Sequence, residues 1–409
     1  MIFSFPKYTD GEVFPEHLLG GENHFGDKTQ IQLVKNTTAE AFLNYTDVLE
    51  STGLHAINKK TTDIGIFYTF LGNGINLYGY FTNADNQAVF VASTDKYTAS
   101  DIEQKNFVDT RGDSQFMQFG LYYSDMIKGT TADCGMGYLF RLRDNSLIMI
   151  DGGELEQCTE VALEEWMKRA CEMTGQDKLH IALWYCSHAH DDHFDFFVEL
   201  IKKYGDRITV DSILYNFPDE SHIGLKPYVA EMKNFLRENL SHCKFLRAHT
   251  GQELQFANAT LDVLLTHEDM FFQDEDNDYY AGVNSTSTII KVTLEGKSFI
   301  FLADVQSENG DVLNNKYGFG KLSCDYLQAA HHCINHDENI YSSIKADTIL
   351  IPACRYITYS RHMSVFEILC KYYDEHKFIM AGDCTQILTL ADGEITDRKY
   401  YPIKGHAYP

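Results

Sequence analysis

Ser187-His188-Ala189-His190-Asp191-Asp192-His193 follows directly on the apolar run LHIALWYC, residues 179–186, and leads into FDFFVELIKKYG, residues 194–205. The run reads as a buried strand, and the segment after it as an amphipathic helix stopped by Gly205. Histidines and carboxylates therefore sit on a strand-to-helix connection, where functional side chains are commonly presented. Imidazole nitrogens at His188 and His190 can hold one divalent ion. Asp192 and His193, entering the helix, can turn toward a neighbouring ion. A solvated polar loop is the plainer reading of these residues. So dense a histidine cluster straight after an apolar strand weighs against it.

Outward from this loop, the chain from about Ser114 alternates strands with helices. GYLFRLRDNSLIMIDGG, residues 137–153, is hairpin-like around Asp144-Asn145, and CTEVALEEWMKRACEMTG, residues 158–175, is an amphipathic helix. Strand-like runs recur in RITVDSILYNF, in TSTIIKVTLEGKSFIFLADV and in ADTILIPA, with helical VFEILCKYYDEH and a closing QILTLADGEI. Such a mixture implies a layered α/β core. Earlier, Asn36 or one of Thr37 and Thr38 caps a helix that Gly53 ends, Gly72-Asn73-Gly74 marks a turn between aromatic-rich strands, and QAVFVAST reads as a further strand. Residues 1–110 are thus expected to form a small α+β unit without chemistry of its own, and residues 111–409 the functional domain.

The composition narrows the partners. At 409 residues the chain can bury a sizeable core, and 44% hydrophobic with 23% charged residues excludes gross disorder. A net charge of −25 repels polyanions, and no basic run with interleaved aromatics offsets it, so nucleic acid is not expected. The ten cysteines are scattered without a CxxC pair, as reduced thiols would be. No leader-like N-terminus and no membrane-spanning apolar run is visible, so the expected location is the cytoplasm. Oligomeric state is not legible.

The motif and its surroundings resemble the metallo-beta-lactamase superfamily over roughly residues 115–400. That resemblance implies an αββα sandwich with a metal site at one edge of two packed sheets. Asp151-Gly152-Gly153 resembles the family's early DGG segment, whose aspartate supports the metal loop. Asp304, ending a strand, matches the metal-bridging aspartate, and His331-His332 match the place of the last histidine. Asn284 to Ile289, the Asp304 strand, LQAAHH, Arg361-His362 and ILTLADGEI look like the hydrolase domain of bacterial DNA-uptake competence proteins and like phosphorylcholine esterases. Cys333 and Met363 depart from that branch, which usually has glycine and proline there, and His190 is present where that branch often lacks the second histidine of the loop.

The resemblance implies metal ligation by His188, His190, Asp192, His193, Asp304 and His332. Two divalent ions are expected, Zn first, with Mn or Fe as alternatives. A water on such ions titrates near ~7 and supplies the nucleophile. The charge left after Asp192, Asp304 and that deprotonated water favours a small anionic ester, a phosphomonoester or phosphodiester. Thioester or lactone hydrolysis, a di-iron redox role and a non-catalytic role are the other readings. His331 and Asp192 are the expected catalytic side chains. Neighbours on a strand point to opposite faces, so the pair is not expected to ligate together, and the resemblance implies that the second, His332, is the metal ligand. His331 then either donates to a substrate oxygen or only orients a ligand.

A further ligand could come from His222 or His267, although a surface or capping role is the stronger expectation for each. His180 is expected to be a satisfied core histidine, and Asp191 not a ligand. The acidic stretch from Glu268 to Asp278 reads as a solvated loop rather than a calcium site.

Overall fold

Leu179–Cys186, the strand that delivers the histidine-rich loop, is buried along nearly all its length inside a mixed sheet. A computed structural model describes residues 2–20, 28–120, 135–153, 160–218, 227–271, 282–335, 337–354, 358–359 and 362–403. Among these, the sheet runs Lys244–Arg247, Ser212–Tyr215, Leu179–Cys186, Leu147–Ile150, Tyr138–Arg141, Ser114–Gln118, Cys384–Ala391, Glu394–Pro402. The first four of these strands are mutually parallel, and the pairings beyond them are antiparallel. Parallel neighbours bring their C-terminal ends to one edge, where α/β sheets build their sites.

The second sheet runs Glu253–Phe256, Ala259–Leu265, Ile289–Leu294, Lys297–Phe301, Ser323–Gln328, Lys345–Ile351, Phe378–Met380. It is antiparallel as far as Lys297–Phe301 and parallel from there on. Asp304 and the His331-His332 pair therefore leave neighbouring parallel strands at the same end. Phe116, Phe140, Leu183 and Tyr185 of the first sheet meet Val292, Phe299, Phe301 and Tyr326 of the second.

Helices cover both outer faces. Glu160–Thr174, Asp195–Tyr204 and Pro227–Asn239 cover the first sheet, with Trp166, Phe197 and Leu236 against Met149 and Trp184. Ser307–Tyr317, Glu338–Ser343 and Met363–Tyr372 cover the second, with Leu313, Ile340 and Leu369 against Ile300, Leu327 and Ile349. With apolar layers on both sides, LHIALWYC reads as a continuous run rather than an alternating one. The layers are α, β, β, α, as expected.

Before the sandwich comes an antiparallel sheet in the order Glu12–Val13, Thr29–Lys35, Gln87–Ser93, Ile75–Thr82, Gly65–Gly72, His55–Thr61, with His17–Gly20 beside Thr29–Lys35. It is larger than the sequence suggested, because Thr29–Lys35 and His55–Thr61 carry no turn signature of their own. The hairpin turn falls where expected, with positive φ at Asn73 and Gly74. Helix Ala39–Ser51, capped by the Thr38 side chain, packs Phe42, Tyr45 and Leu49 on Phe70, Phe81 and Phe90. The other face of the sheet puts Leu33, Tyr78, Tyr80 and Val91 into one cluster with Leu265, Phe271 and Leu313 of the sandwich.

Charge crosses this contact as well. His249 is fully buried, with Nδ1 2.8 Å from Glu268 Oε1 and Nε2 3.9 Å from Asp95 Oδ2, and the Tyr78 ring stacks on it at 3.8 Å. Burial opposes a charge there, but Glu268 and Asp95 outweigh it and push the imidazole pKa up from 6.5 to about 9. The folded chain thus holds this proton more tightly than the unfolded chain. The resulting stabilisation, on the order of 1–3 kcal/mol, is complete below the unfolded pKa of about 6.5 and is lost as pH rises through the folded value. Urea unfolding of wild type and His249→Gln on both sides of this window checks the sign. The wild type should lose more stability than the variant on going alkaline, and equal losses would reject the assignment.

Candidate metal centre

The strand Leu179–Cys186 ends at Ser187, and Asp191–His193 forms a single 3-10 turn before helix Asp195–Tyr204. The structure brings Asp192, His193, Asp304 and His332 together, and separately His188, His190 and Asp304. Within each group, one ligand atom per residue lies within 4.8 Å of the others. Asp304 belongs to both.

The donor set fits divalent metal on its own geometry. His188 Nε2 and His190 Nδ1 face each other at 3.1 Å. His193 Nε2 lies 3.2 Å from Asp304 Oδ1, yet both atoms are buried without a hydrogen-bond partner. Buried polar atoms are normally satisfied, so convergent orphans mark a place for a ligand. His332 Nε2 is 3.0 Å from Asp192 Oδ2 and 3.5 Å from Asp304 Oδ2. Nitrogen and oxygen donors of this kind suit Zn, Mn or Fe.

Supporting contacts orient these ligands. Asp151, at φ 53°, closes strand Leu147–Ile150 and accepts from Ser187 N at 2.8 Å and Ser187 Oγ at 3.0 Å. Its Oδ2 also takes His193 Nδ1 at 2.9 Å. That bond puts the His193 proton on Nδ1 and turns Nε2 toward Asp304. Gly152 has to be glycine, since a Cβ there would lie 2.7 Å from Phe197 Cβ and 2.8 Å from Phe197 N. On the second sheet, Gln328 laces two loops together, its Oε1 accepting from Ala303 N at 2.7 Å and its Nε2 donating to Ala303 O at 3.2 Å. His331 N also donates to Ala303 O at 2.8 Å.

Burial opposes charge on His193 and His332, but Asp304 and Asp192, joined by Asp151 at His193, raise both well above the ordinary imidazole value, so these two donors must lose a proton to take a cation. Burial, reinforced by His193, holds the His188 pKa well below its ordinary value, and burial likewise lowers that of His190. Both are then neutral and free to donate a lone pair. Burial acts against charge on Asp304, but His332 and His193 overcome it and keep the carboxyl ionised.

The histidine pair differs from the expected strand geometry. The strand ends at Gln328, and His331, His332 and Cys333 all have left-handed backbones, with φ of 50°, 51° and 67°. The tight turn, not strand alternation, separates the two imidazoles. Cys333 thus occupies a conformation that glycine adopts without strain. His332 joins the ligand group. His331 is about a quarter exposed, with Nε2 3.2 Å from the Asn284 amide and 3.7 Å from Asp304 Oδ2.

Other sequence candidates lie elsewhere. His267 is buried with Nε2 on Asn216 Oδ1 at 2.8 Å and is not in either ligand group. His222 and Arg361 lie outside the described residues, as does most of the acidic stretch. Its first members, Glu268 and Asp269, are buried in hydrogen-bonded networks rather than solvated. His180 is satisfied by Asp211 at 2.7 Å, but its side chain is 44% exposed, so it is not a core residue. Asp191 is in neither group. The sequence reading gave Ser187, Asn216 and Ser287 no role and took His249 as structural or solvent-exposed. Ser187, Asn216 and His249 follow strands, on the edge that gathers Asp151 and His188, and Ser287 precedes strand Ile289–Leu294. A cavity of about 530 Å³ is lined by Lys377, Phe378, Arg398 and Tyr400 and by none of the candidate ligands.

Two mixed sheets face to face, helices on both outer surfaces and the histidine-aspartate groups at one edge decide the architecture. The fold is an αββα sandwich, the architecture that the resemblance to the metallo-beta-lactamase superfamily implied. No family model matches the sequence, and no curated protein matches it. Among solved structures, the chain is similar to CmlA, a diiron beta-hydroxylase from Streptomyces venezuelae, at 13% identity and TM-score 0.34, covering 65% of this chain. It is similar to human tRNase Z, short form, at 13% identity and TM-score 0.28, covering 53% of this chain and 76% of that one. A flavo di-iron protein mutant from Thermotoga maritima matches at 14% identity and TM-score 0.23, covering 40% of this chain and 31% of that one. The chain spans 35% and 48% of the two CmlA chains it matches. Among the described residues, no helix is long and apolar enough to cross a membrane.

Proposed function

We propose that this metallo-beta-lactamase-fold chain is a cytoplasmic metal-dependent hydrolase of a small anionic ester, a phosphomonoester or phosphodiester. The observation that carries the reading is Asp304, shared by two groups of donors, with its Oδ1 and His193 Nε2 buried 3.2 Å apart and without hydrogen-bond partners. His188, His190 and Asp304 would hold one ion, and Asp192, His193, Asp304 and His332 a second, with zinc the first choice. Bound divalent ions would supply an acidified water as nucleophile and stabilise charge on the substrate oxygens. Burial lowers the His331 pKa, leaving a neutral ring at pH 7. The Asn284 amide fixes its orientation by donating to Nε2 at 3.2 Å, so the neutral ring would carry its hydrogen on Nδ1 and donate a hydrogen bond, not a proton, to a substrate oxygen or leaving group. The resemblance of the Asn284–Ile289, LQAAHH and closing segments to the competence-protein and phosphorylcholine-esterase branch supports phosphoesters over thioesters and lactones.

Gently purified protein should carry up to two transition-metal ions per chain by elemental analysis. With Zn, Mn or Fe restored, chromogenic phosphodiesters or phosphomonoesters should turn over faster than thioesters or lactones. Absence of metal both before and after reconstitution would sink the proposal. An iron absorption spectrum without hydrolysis would instead favour the redox alternative.

A further inference from the structure

The N-terminal sheet touches the sandwich through more than apolar packing. Asp95 follows strand Gln87–Ser93 and is held by Ser93 Oγ on its own N at 3.1 Å and by the Asn76 amide on its O at 3.0 Å. Its buried carboxylate lies 3.4 Å from Arg247 Nε and 3.9 Å from His249 Nε2. His249 passes the contact to Glu268, which accepts from Asn216 Nδ2 at 3.0 Å, while Asn216 Oδ1 meets His267. Tyr80, from strand Ile75–Thr82, donates to Asp269 Oδ1 at 2.5 Å, and Lys316 and Thr250 hold the same carboxylate. His267, Glu268 and Asp269 lie in one short turn, His267–Met270.

That turn packs against Asn284–Thr286, and the segment they begin touches every loop of the candidate metal centre. Asn284 meets His331, Ser287 Oγ accepts from Asp304 N at 3.3 Å, and Thr288 N donates to Ser187 O at 3.0 Å. We propose that Asp95 and Tyr80 are positioning residues, through which the N-terminal sheet clamps the turn His267–Met270 and so fixes the Asn284–Thr288 segment against the Ser187, Asp304 and His331 loops. The proposal rests on the hydrolase reading only for its kinetic consequence. The charges in the clamp balance, with Asp95 and Glu268 against Arg247 and His249, so a buried network of this kind is rigid only when complete.

The test uses the full-length chain with Asp95→Asn, Tyr80→Phe and the double variant, and Lys59→Ala, exposed on the same sheet, as control. Amide hydrogen exchange should quicken about tenfold in residues 267–271 and 282–288 and stay unchanged in strands Thr29–Lys35 and Gln87–Ser93. On the best ester, kcat should fall roughly tenfold while KM moves less than about threefold, because the clamp aligns His331 rather than binding substrate. Unchanged exchange at 282–288 in a folded double variant overturns the proposal. So does loosening of the whole N-terminal sheet, the mark of a merely structural role. Exchange is read whether or not the wild type hydrolyses any ester. Faster exchange in a chain that turns nothing over therefore supports the clamp and rejects the hydrolase reading alone.

Discussion

Asp304→Ala is expected to release both metal ions and to lower turnover by about a thousand-fold or more. Asp304 is the one carboxylate common to both donor groups, so its loss removes a ligand from each. Charge stabilisation by bound ions is worth several kcal/mol, and each ~1.4 kcal/mol is a factor of ten in rate. The backbone around it is held independently, since Gln328 fixes Ala303 and Asn335 Nδ2 donates to Val305 O at 2.7 Å. The variant should therefore keep its far-ultraviolet dichroism and much of its thermal stability. Elemental analysis beside a turnover assay decides the matter. A folded variant that keeps two ions, or keeps turnover within about threefold, would show that Asp304 bridges nothing.

The histidine pair should divide its work. His332→Ala is expected to lose one ion, because its Nε2 sits against Asp192 and Asp304 in a fully enclosed position. His331→Ala is expected to keep both ions and to slow turnover by roughly 10²–10³-fold, the usual worth of a positioned hydrogen-bond donor to charge developing on a substrate oxygen. Its ring is partly exposed, with Nε2 closer to the Asn284 amide, at 3.2 Å, than to Asp304 Oδ2, at 3.7 Å, and it belongs to neither donor group. Metal counts on the two single variants separate the alternatives. A small rate loss with weakened metal affinity in His331→Ala would reduce it to an orienting partner. The reverse pattern, metal lost from His331→Ala and kept in His332→Ala, would exchange the assignments.

Local pattern made part of this site legible. The apolar run before Ser187, the dense histidines after it and the amphipathic helix ended by Gly205 lie within about thirty residues, and short-range periodicity encodes such elements directly. Asp151-Gly152-Gly153 was readable for the same reason, as a turn at the end of an apolar strand. The positions of Asp304 and His332 came only from resemblance, because nothing in their own surroundings distinguishes a ligand from a buried polar residue.

The sequence alone determined the strand–loop–helix that presents His188, His190, Asp192 and His193, and the alternation that implies a layered α/β core. Tertiary structure decided the rest. Parallel pairing placed the ends of strands distant in sequence at one edge, which is how Asp304 and His332 reach His193 across more than a hundred residues. Only packing could force left-handed backbone onto His331, His332 and Cys333, a conformation that their side chains disfavour. Only the assembled sheets could bury Asp95, His249 and Glu268 side by side, since an isolated charge is too costly to bury until its partners arrive from other parts of the chain.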